Sequence, residues 1–396
     1  MFDHTKESSI VKNMAYAMMN VRQVAESVLK SEMPGIIDNM DGTIFLLKKI
    51  LRSDEPKTIG FFGAQKRGKS SIVNYLLGVE LMPTGAIPMS SVIVRVKHDS
   101  SIQKDRYNID VTERNGQLNQ QKDLSEEDAR SVIESYGSHR NDETSQDIDT
   151  IEVSSNFSGI EILEDGGILV DTPGVEMAFS DEGADEQNMA DAERAECELQ
   201  ETHLVVFVER ADYLEAGSGY QFFSKQIKQL RPLSVVSFKD KIEGAENVSA
   251  EVAESIKQKK LGSLMMKVYG INLDRFACVS CEEANAAQRE QDKELSGMLG
   301  LKRKILKELR NLGFEEGLWT SLLELEKSLK LVAMNRGKNV ARQVFAPATL
   351  PFCVMKNDLA SLVETEETEN KFGNIQRSIR KIEEILDAYR LPAIEF

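Results

Sequence analysis

Short, continuous apolar runs alternate with helix-like stripes through the middle of the chain. Thr58-Ile-Gly-Phe-Phe62 is apolar throughout, and Ser71-Ile-Val-Asn-Tyr-Leu-Leu77 behind it has helical spacing. A second run, Gly166-Gly-Ile-Leu-Val170, ends in Asp171 and a Thr-Pro-Gly turn. Leu204-Val-Val-Phe-Val208, Leu233-Ser-Val-Val-Ser237 and Phe276-Ala-Cys-Val-Ser280 follow, with helical intervals between them. Apolar strands separated by helices predict a parallel sheet covered on both faces. Ligands of such a sheet gather at the carboxyl ends of its strands. Residues 100–149 are polar and acidic and predict one strand, Tyr107-Asn-Ile-Asp-Val111, and a short helix from Ser125 to Tyr136. Residues 176–201 are acidic and read as a mobile stretch before the next strand.

A different pattern holds toward the two ends. Met14, Met18, Val21, Ala25 and Val28 form a narrow stripe, as do Leu318, Leu322, Leu325, Leu329 and Val332, and Ile375, Ile379, Ile382, Leu386 and Tyr389. Each stripe steps 4, 3, 4, 3, the spacing of a helix seam. Three such stripes predict helices that bury one another as a bundle. Between the second and third lies the apolar stretch 344–355, where Pro347 and Pro351 forbid a continuous helix. It reads as a hinge or bundle-closing loop, with a membrane-inserting or partner-docking element as the alternative.

Composition narrows the field. The 396 residues carry 65 acidic and 49 basic side chains, a formal net charge of −16. That charge argues against passive binding to nucleic acid or anionic lipid. Of the four cysteines, Cys278 and Cys281 form a C-x-x-C with no second pair to complete a zinc site. With Cys197 and Cys353 they read as free buried thiols of a reducing cytosol. The N-terminus is polar and charged, unlike a signal peptide, and no run approaches the ~20 apolar residues of a membrane span.

The chemistry concentrates in Gly63-Ala-Gln-Lys-Arg-Gly-Lys-Ser70, which fits the phosphate-binding loop G-x-x-x-x-G-K-S/T between a strand and a helix. Gly63 and Gly68 allow the backbone to approach the phosphates. Loop amides and the helix N-terminus then face the anion, with Gly63, Ala64, Gln65, Lys66, Arg67, Gly68, Lys69, Ser70 and Ser71 as the candidate set. Lys69 would reach the β and γ oxygens, and Ser70 would ligate Mg²⁺. Asp171, at a strand end, can hold the metal through water, and the Gly174 amide is free for a γ-phosphate. A GTPase reads its base with N/T-K-x-D, whose aspartate accepts from guanine N1–H and N2–H. Here the chain reads Ser237-Phe-Lys239-Asp240, with the aspartate in place and the residues before it altered. Guanine is the expected base and adenine stays open. Ser280 and Cys281 fit a turn beside guanine O6, which accounts for the C-x-x-C without redox chemistry.

These motifs together resemble dynamin-like GTPases, in particular the bacterial branch. The phosphate loop continues into Ser71, then Asn74-Tyr-Leu-Leu-Gly78, Leu81-Met-Pro-Thr-Gly85 and Pro88-Met-Ser-Ser-Val-Ile93, and later Ile162 to Gly174, all similar to the family's pattern over roughly residues 56–325. The resemblance implies an α/β phosphate-loop GTPase domain with a mostly parallel sheet over residues 53–314, and a helical neck from residues 1–52 and 315–396. A long trunk does not fit the remaining length, so a compact member, or one acting with a longer partner, is expected. It also implies GTP and GDP as ligands with Mg²⁺ as cofactor. Gln65, Lys69 and Ser90 become the catalytic set, and Ser70, Ser90 and Asp171 the metal set, Ser90 standing for the switch threonine. No glutamine stands at Val175 or Glu176 to position water, so pairing of two GTPase faces, in a homodimer or with another dynamin-like protein, would complete the site. Lys66 and Arg67 could supply positive charge in cis. The expected setting is cytoplasmic, with transient contact at the inner face of a membrane and no nucleic acid. Two other readings remain: a slow or inactive GTP-binding scaffold, and an adenine-nucleotide enzyme.

Overall fold

The computed structural model describes residues 4–29, 32–52, 55–84, 92–137, 148–174, 186–216, 223, 227, 230–241, 249–271, 273–310, 314–362 and 366–388. The chain divides into two compact units, Pro56–Leu309, and Met1–Glu55 together with Arg310–Phe396.

The first unit is built on one sheet. Its strands among the described residues are β1 (Lys57–Phe62), β2 (Ile93–His98), β3 (Tyr107–Glu113), β4 (Leu118–Leu124), β5 (Ile148–Ser155), β6 (Gly167–Asp171), β7 (Leu204–Arg210), β8 (Leu233–Ser237) and β9 (Phe276–Cys278). They lie in the order β4-β3-β5-β2-β6-β1-β7-β8-β9. From β6 to β9 all neighbours are parallel, as the apolar runs predicted. β1, β7, β8 and β9 are buried almost throughout, which is why their sequences do not alternate. β1 lies between β6 and β7, where the chain crosses from one side of the sheet to the other, so its carboxyl end opens at a topological switch point.

The other half of the sheet draws more from residues 100–149 than the one strand expected there. β2 runs antiparallel to β6 and parallel to β5, and β3 pairs antiparallel with both β5 and β4. β3 and β4 are joined at Asn115-Gly116, with Gly116 left-handed (φ 84) and Gln117 N donating to Asn115 Oδ1 at 2.7 Å. Such a dipeptide closes hairpins because its backbone angles match the twist of the strands. β4 is polar, as befits an exposed edge. Of the acidic stretch 176–201, Glu186–Glu201 is a helix, and residues 176–185 lie outside the described residues. Glu198 on it is buried and pairs with Arg95 of β2 at 2.6 Å. Burial pushes the Glu198 carboxyl up, opposed by Arg95.

The second unit is a helical bundle of His4–Leu29, Pro34–Leu51, Phe314–Arg336, Lys338–Phe345, Thr349–Leu362 and Glu366–Ala388. The three stripes meet in one core: Met14, Met18, Val21 and Ala25, Leu318 to Val332, and Ile375, Ile379 and Ile382 are buried together. Tyr389 and the Leu386 side chain lie outside the described residues. Ile36, Met40, Leu47 and Ile50 add the helix Pro34–Leu51 to that core. Gly317 allows the close approach of this helix, since a Cβ there would stand 2.1 Å from Ile50 Cδ1. Glu326 ties two helices by pairing with Lys330 at 2.5 Å and Lys381 at 2.8 Å.

Residues 344–355 are helical rather than a loop. Only a 3₁₀ turn, Ala346–Ala348, interrupts them. Pro347 sits in that turn, and Pro351 falls in the first turn of Thr349–Leu362, where an amide has no partner to lose. Phe345, Phe352 and Met355 enter the bundle core.

Candidate functional site

The loop after β1 is shaped by close backbone contacts. A Cβ at Gly63 (φ 150) would stand 2.2 Å from the Val208 carbonyl oxygen. Gly68 (φ 88) turns the chain into the helix Lys69–Leu77, and Lys66 is also left-handed (φ 57). Lys69 is buried, and its Nζ donates to the carbonyls of Gly63 at 3.0 Å and Ala64 at 2.9 Å. The ammonium is thereby held inside the arch of the loop. Gly174 packs directly on Gln65, where a Cβ would lie 2.5 Å from Gln65 Cγ and 2.7 Å from its amide nitrogen. Thr172 Oγ1 donates to the Phe61 carbonyl at 2.6 Å, fixing the end of β6 against β1.

Ser70 Oγ donates to Asp171 Oδ2 at 2.6 Å. Asp171 is buried, which raises its pKa against the opposing pull of Lys69 and the Ser70 hydrogen bond. Its Oδ1 is buried with no hydrogen-bond partner. A hydroxyl and a half-satisfied carboxylate suit a hard, oxygen-liganded cation that takes its other ligands from water and phosphate. Among the described residues no cluster of three or more His, Cys, Asp or Glu could hold a metal by itself.

Arg67 does not offer its charge to the loop's interior. It is buried and lies 2.7 Å from Glu209 of β7. Glu209 in turn accepts from Tyr269 Oη at 2.8 Å and from the Arg210 amide at 2.9 Å. Ser237 Oγ donates to the Arg67 carbonyl at 2.6 Å. The suggestion that Arg67 supplies charge in cis is therefore corrected: its guanidinium anchors the loop to β7.

The segment expected to read the base begins at the end of β8. Asp240 is half-buried; burial disfavours its ionised form, but hydrogen bonds from Ser280, its own backbone and Lys241 outweigh that and hold the carboxyl below its usual range. Ser280 caps the helix Cys281–Ala286, its hydroxyl accepting from Glu283 N at 3.1 Å. Lys239 is fully buried, 2.8 Å from Glu254, and also donates to the Leu295 carbonyl. Gly68, Ser71, Ser237, Phe238, Asp240 and Cys281 line one cavity of about 940 Å³, which continues along the helix Lys69–Leu77. Lys239 does not line it.

Cys278 is buried, and burial raises the thiols of Cys278 and Cys281 to about 12. Cys197 and Cys353 are exposed, which corrects the expectation of four buried thiols. Ser90, Val175 and Glu176 lie outside the described residues.

Several residues of the site had not been singled out. Glu209 and Arg210 close the apolar run of β7, and an acid at the carboxyl end of such a strand was the available signal. Phe238, Tyr213 and Tyr269 carry no local pattern. Asn74 clamps the chain after its own helix, donating to the Met82 carbonyl at 2.8 Å and accepting from the Met82 amide at 2.6 Å.

Comparison with known proteins agrees with this geometry. The dynamin family profile matches residues 59–238. The uncharacterized protein in xynA 3'region of Caldicellulosiruptor sp. (strain Rt8B.4) is 32% identical over 114 residues, 28% of this chain and 25% of that protein. The chain thus matches about a quarter of that relative's length. A solved oligomerised bacterial dynamin pair, described as a mechanism for long-range sensing and tethering of membranes, overlaps 98% of this chain and 65% of its own at 15% identity and a TM-score of 0.42. A point variant of Aquifex aeolicus Era bound to GDP·AlF4⁻ overlaps 63% of this chain and 56% of its own at 15% identity, with a TM-score of 0.34. TM-scores of 0.42 and 0.34 carry no inference about function. Residues 59–238, the stretch that matches the dynamin family, hold the phosphate loop, Asp171 and the end of β8.

Proposed function

We propose that this chain binds GTP with Mg²⁺ and hydrolyses it to GDP and phosphate, coupling the cycle to movement of its helical bundle as a neck. The observation that carries the reading is the Ser70–Asp171 hydrogen bond of 2.6 Å beside a carboxylate oxygen that lacks a partner. Mg²⁺ bound there would offset charge on the β and γ oxygens. Lys69 would move its ammonium from the loop carbonyls to the same phosphates, and Asp240 would accept from the guanine edge. Gln65, packed against Gly174, would orient water near the γ-phosphate. Ser90 is proposed for the switch hydroxyl. A second GTPase domain, from another copy or a dynamin-like partner, would complete the site, and any membrane contact would be peripheral.

Phosphate release by the whole chain tests the reading, with Lys69→Ala as the control. Turnover per molecule should rise with protein concentration if pairing completes the site. A flat profile removes the pairing step, and turnover no greater than that of Lys69→Ala removes hydrolysis altogether. Sedimentation with anionic vesicles, with and without GTP, tests the membrane part.

One observation favours a second reading. The base motif departs from its pattern at Ser237 and Phe238, and its lysine neighbour, Lys239, is bound to Glu254. A slow or inactive GTP-binding scaffold would show tight nucleotide binding without phosphate release.

A further inference from the structure

Phe238 occupies the place where N/T-K-x-D carries its lysine, two residues before Asp240. Its backbone is left-handed (φ 55), a conformation that a bulky residue keeps only when its surroundings hold it there. The turn sends neighbouring side chains to different places. Lys239 goes into the core and is fully buried beside Glu254. Phe238 stays half-buried and lines the cavity with Gly68, Ser71, Asp240 and Cys281.

The ring also carries a cation on one face. The Arg210 guanidinium lies 4.4 Å from its centroid. Arg210 is fixed by two hydrogen bonds to Asp212, at 2.7 and 2.9 Å, and packs on Tyr213. A cation held on one face draws electron density from the ring, which favours stacking of an electron-rich heteroaromatic on what remains open.

We infer that the Phe238 ring, backed by Arg210, is the platform on which the nucleobase stacks, and that Lys239 makes no contact with the base. The inference rests on the nucleotide reading of the site above and adds the residue that holds the base. A purine can lay its face on Phe238 while its edge meets Asp240. Stacking tolerates any base, so Phe238 supplies affinity and Asp240 supplies choice.

Calorimetric titration of the full chain separates these roles, using Mg·GTP, Mg·ATP and Mg·tripolyphosphate, which offers phosphates without a base. Phe238→Ala should weaken GTP about 10- to 100-fold and ATP by a similar factor, while tripolyphosphate binding stays unchanged. Phe238→Trp should restore GTP affinity, and its emission should respond to GTP but not to tripolyphosphate; the wild type, whose single tryptophan is Trp319, gives the background. Lys239→Met should bind GTP as the wild type does. The inference is overturned if Phe238→Ala keeps wild-type GTP affinity, if it loses tripolyphosphate and GTP alike, or if Lys239→Met selectively loses GTP. Failure of the underlying reading looks different: Lys69→Ala would then bind GTP and tripolyphosphate as tightly as the wild type.

Discussion

Arg67 of the phosphate loop lies 2.7 Å from Glu209 at the end of β7, both side chains almost wholly buried. The loop is thus pinned to the neighbouring strand by charge, and the pin is shared with Tyr269, whose hydroxyl donates to the same carboxylate. Removing one partner of a buried pair leaves the other uncompensated, at about 3–5 kcal/mol. Glu209→Leu should therefore lower stability by about that much in chemical denaturation. The double variant Arg67→Met with Glu209→Leu should recover most of the loss, because neither charge is then stranded. Equal losses in the single and the double variant would show that the pair does not pin the loop. Tyr269→Phe should cost less, about 1.5–3 kcal/mol, the loss of one hydrogen bond to a charged acceptor that keeps its other partners.

Asp171 gives the site a pH dependence with a definite sign. Burial raises its pKa in the folded chain above the unfolded value, with Lys69 and Ser70 opposing the rise. A group shifted upward contributes stability below its unfolded pKa and loses that contribution as pH rises through the folded one. The nucleotide-free protein should accordingly lose stability from this group as pH rises through the raised value. Affinity for Mg²⁺ should move the other way, since the cation needs the ionised carboxylate. Asp171→Asn should be at least as stable as the wild type at neutral pH while losing the Mg²⁺-dependent part of GTP binding. Melting temperature against pH, with and without Mg·GTP, checks both signs. A large loss of melting temperature in Asp171→Asn without ligand would contradict the account.

The thiols divide cleanly by environment. Cys278 and Cys281 are held near 12 by burial, with nearby acids adding to the effect. Cys197 and Cys353 are exposed. Only the thiolate reacts with an alkylating reagent. Brief iodoacetamide treatment of the folded chain at pH 8 should label Cys197 and Cys353 and spare the C-x-x-C pair. Peptide mass spectrometry reads the sites directly. Labelling of Cys278 or Cys281 at the rate of the exposed pair would restore a redox role for the motif.

What the sequence disclosed follows from how far each cause reaches along the chain. The strands from β6 to β9 were legible because burial on both faces leaves continuous apolar runs, and the bundle because its three seams repeat at helical spacing. β4 escaped because Leu118-Asn-Gln-Gln-Lys-Asp-Leu124 is polar on both faces and only the Asn115-Gly116 turn announces it. The helices around Pro347 and Pro351 escaped because a proline breaks a helix only beyond its first turn, and sequence alone did not show where those turns began. Within the site, Ser70 and Asp171 were legible as motif residues. Arg67 was read as a charge in the loop, since its partner Glu209 is distant in sequence and becomes its neighbour only when β7 pairs with β1.

On the proposed reading Asp240 carries the choice of base, and its chemistry allows that choice to be changed. An ionised carboxylate offers two acceptors, which match the N1–H and N2–H donors of guanine. Hydrogen bonds from Ser280, the backbone and Lys241 keep Asp240 ionised below the usual carboxylate range, against the effect of burial. The preference for GTP over ATP should therefore hold steady from neutral pH down to the ordinary carboxylate region and fail only below it, whatever Asp171 does to the affinity of both nucleotides. Asparagine presents one acceptor and one donor, which suits xanthine, whose second carbonyl stands where guanine has its amino group. Asp240→Asn should accordingly weaken GTP by about a hundredfold or more, as expected when a site built to hydrogen-bond loses its match, and should gain affinity for xanthosine triphosphate. Competition between the two nucleotides for a fluorescent analogue measures the ratio. Because Asp240 is only half-buried, the variant should fold normally, and tripolyphosphate binding should confirm an intact phosphate loop. An Asp240→Asn chain that still prefers GTP would place the base elsewhere in the cavity, away from the end of β8.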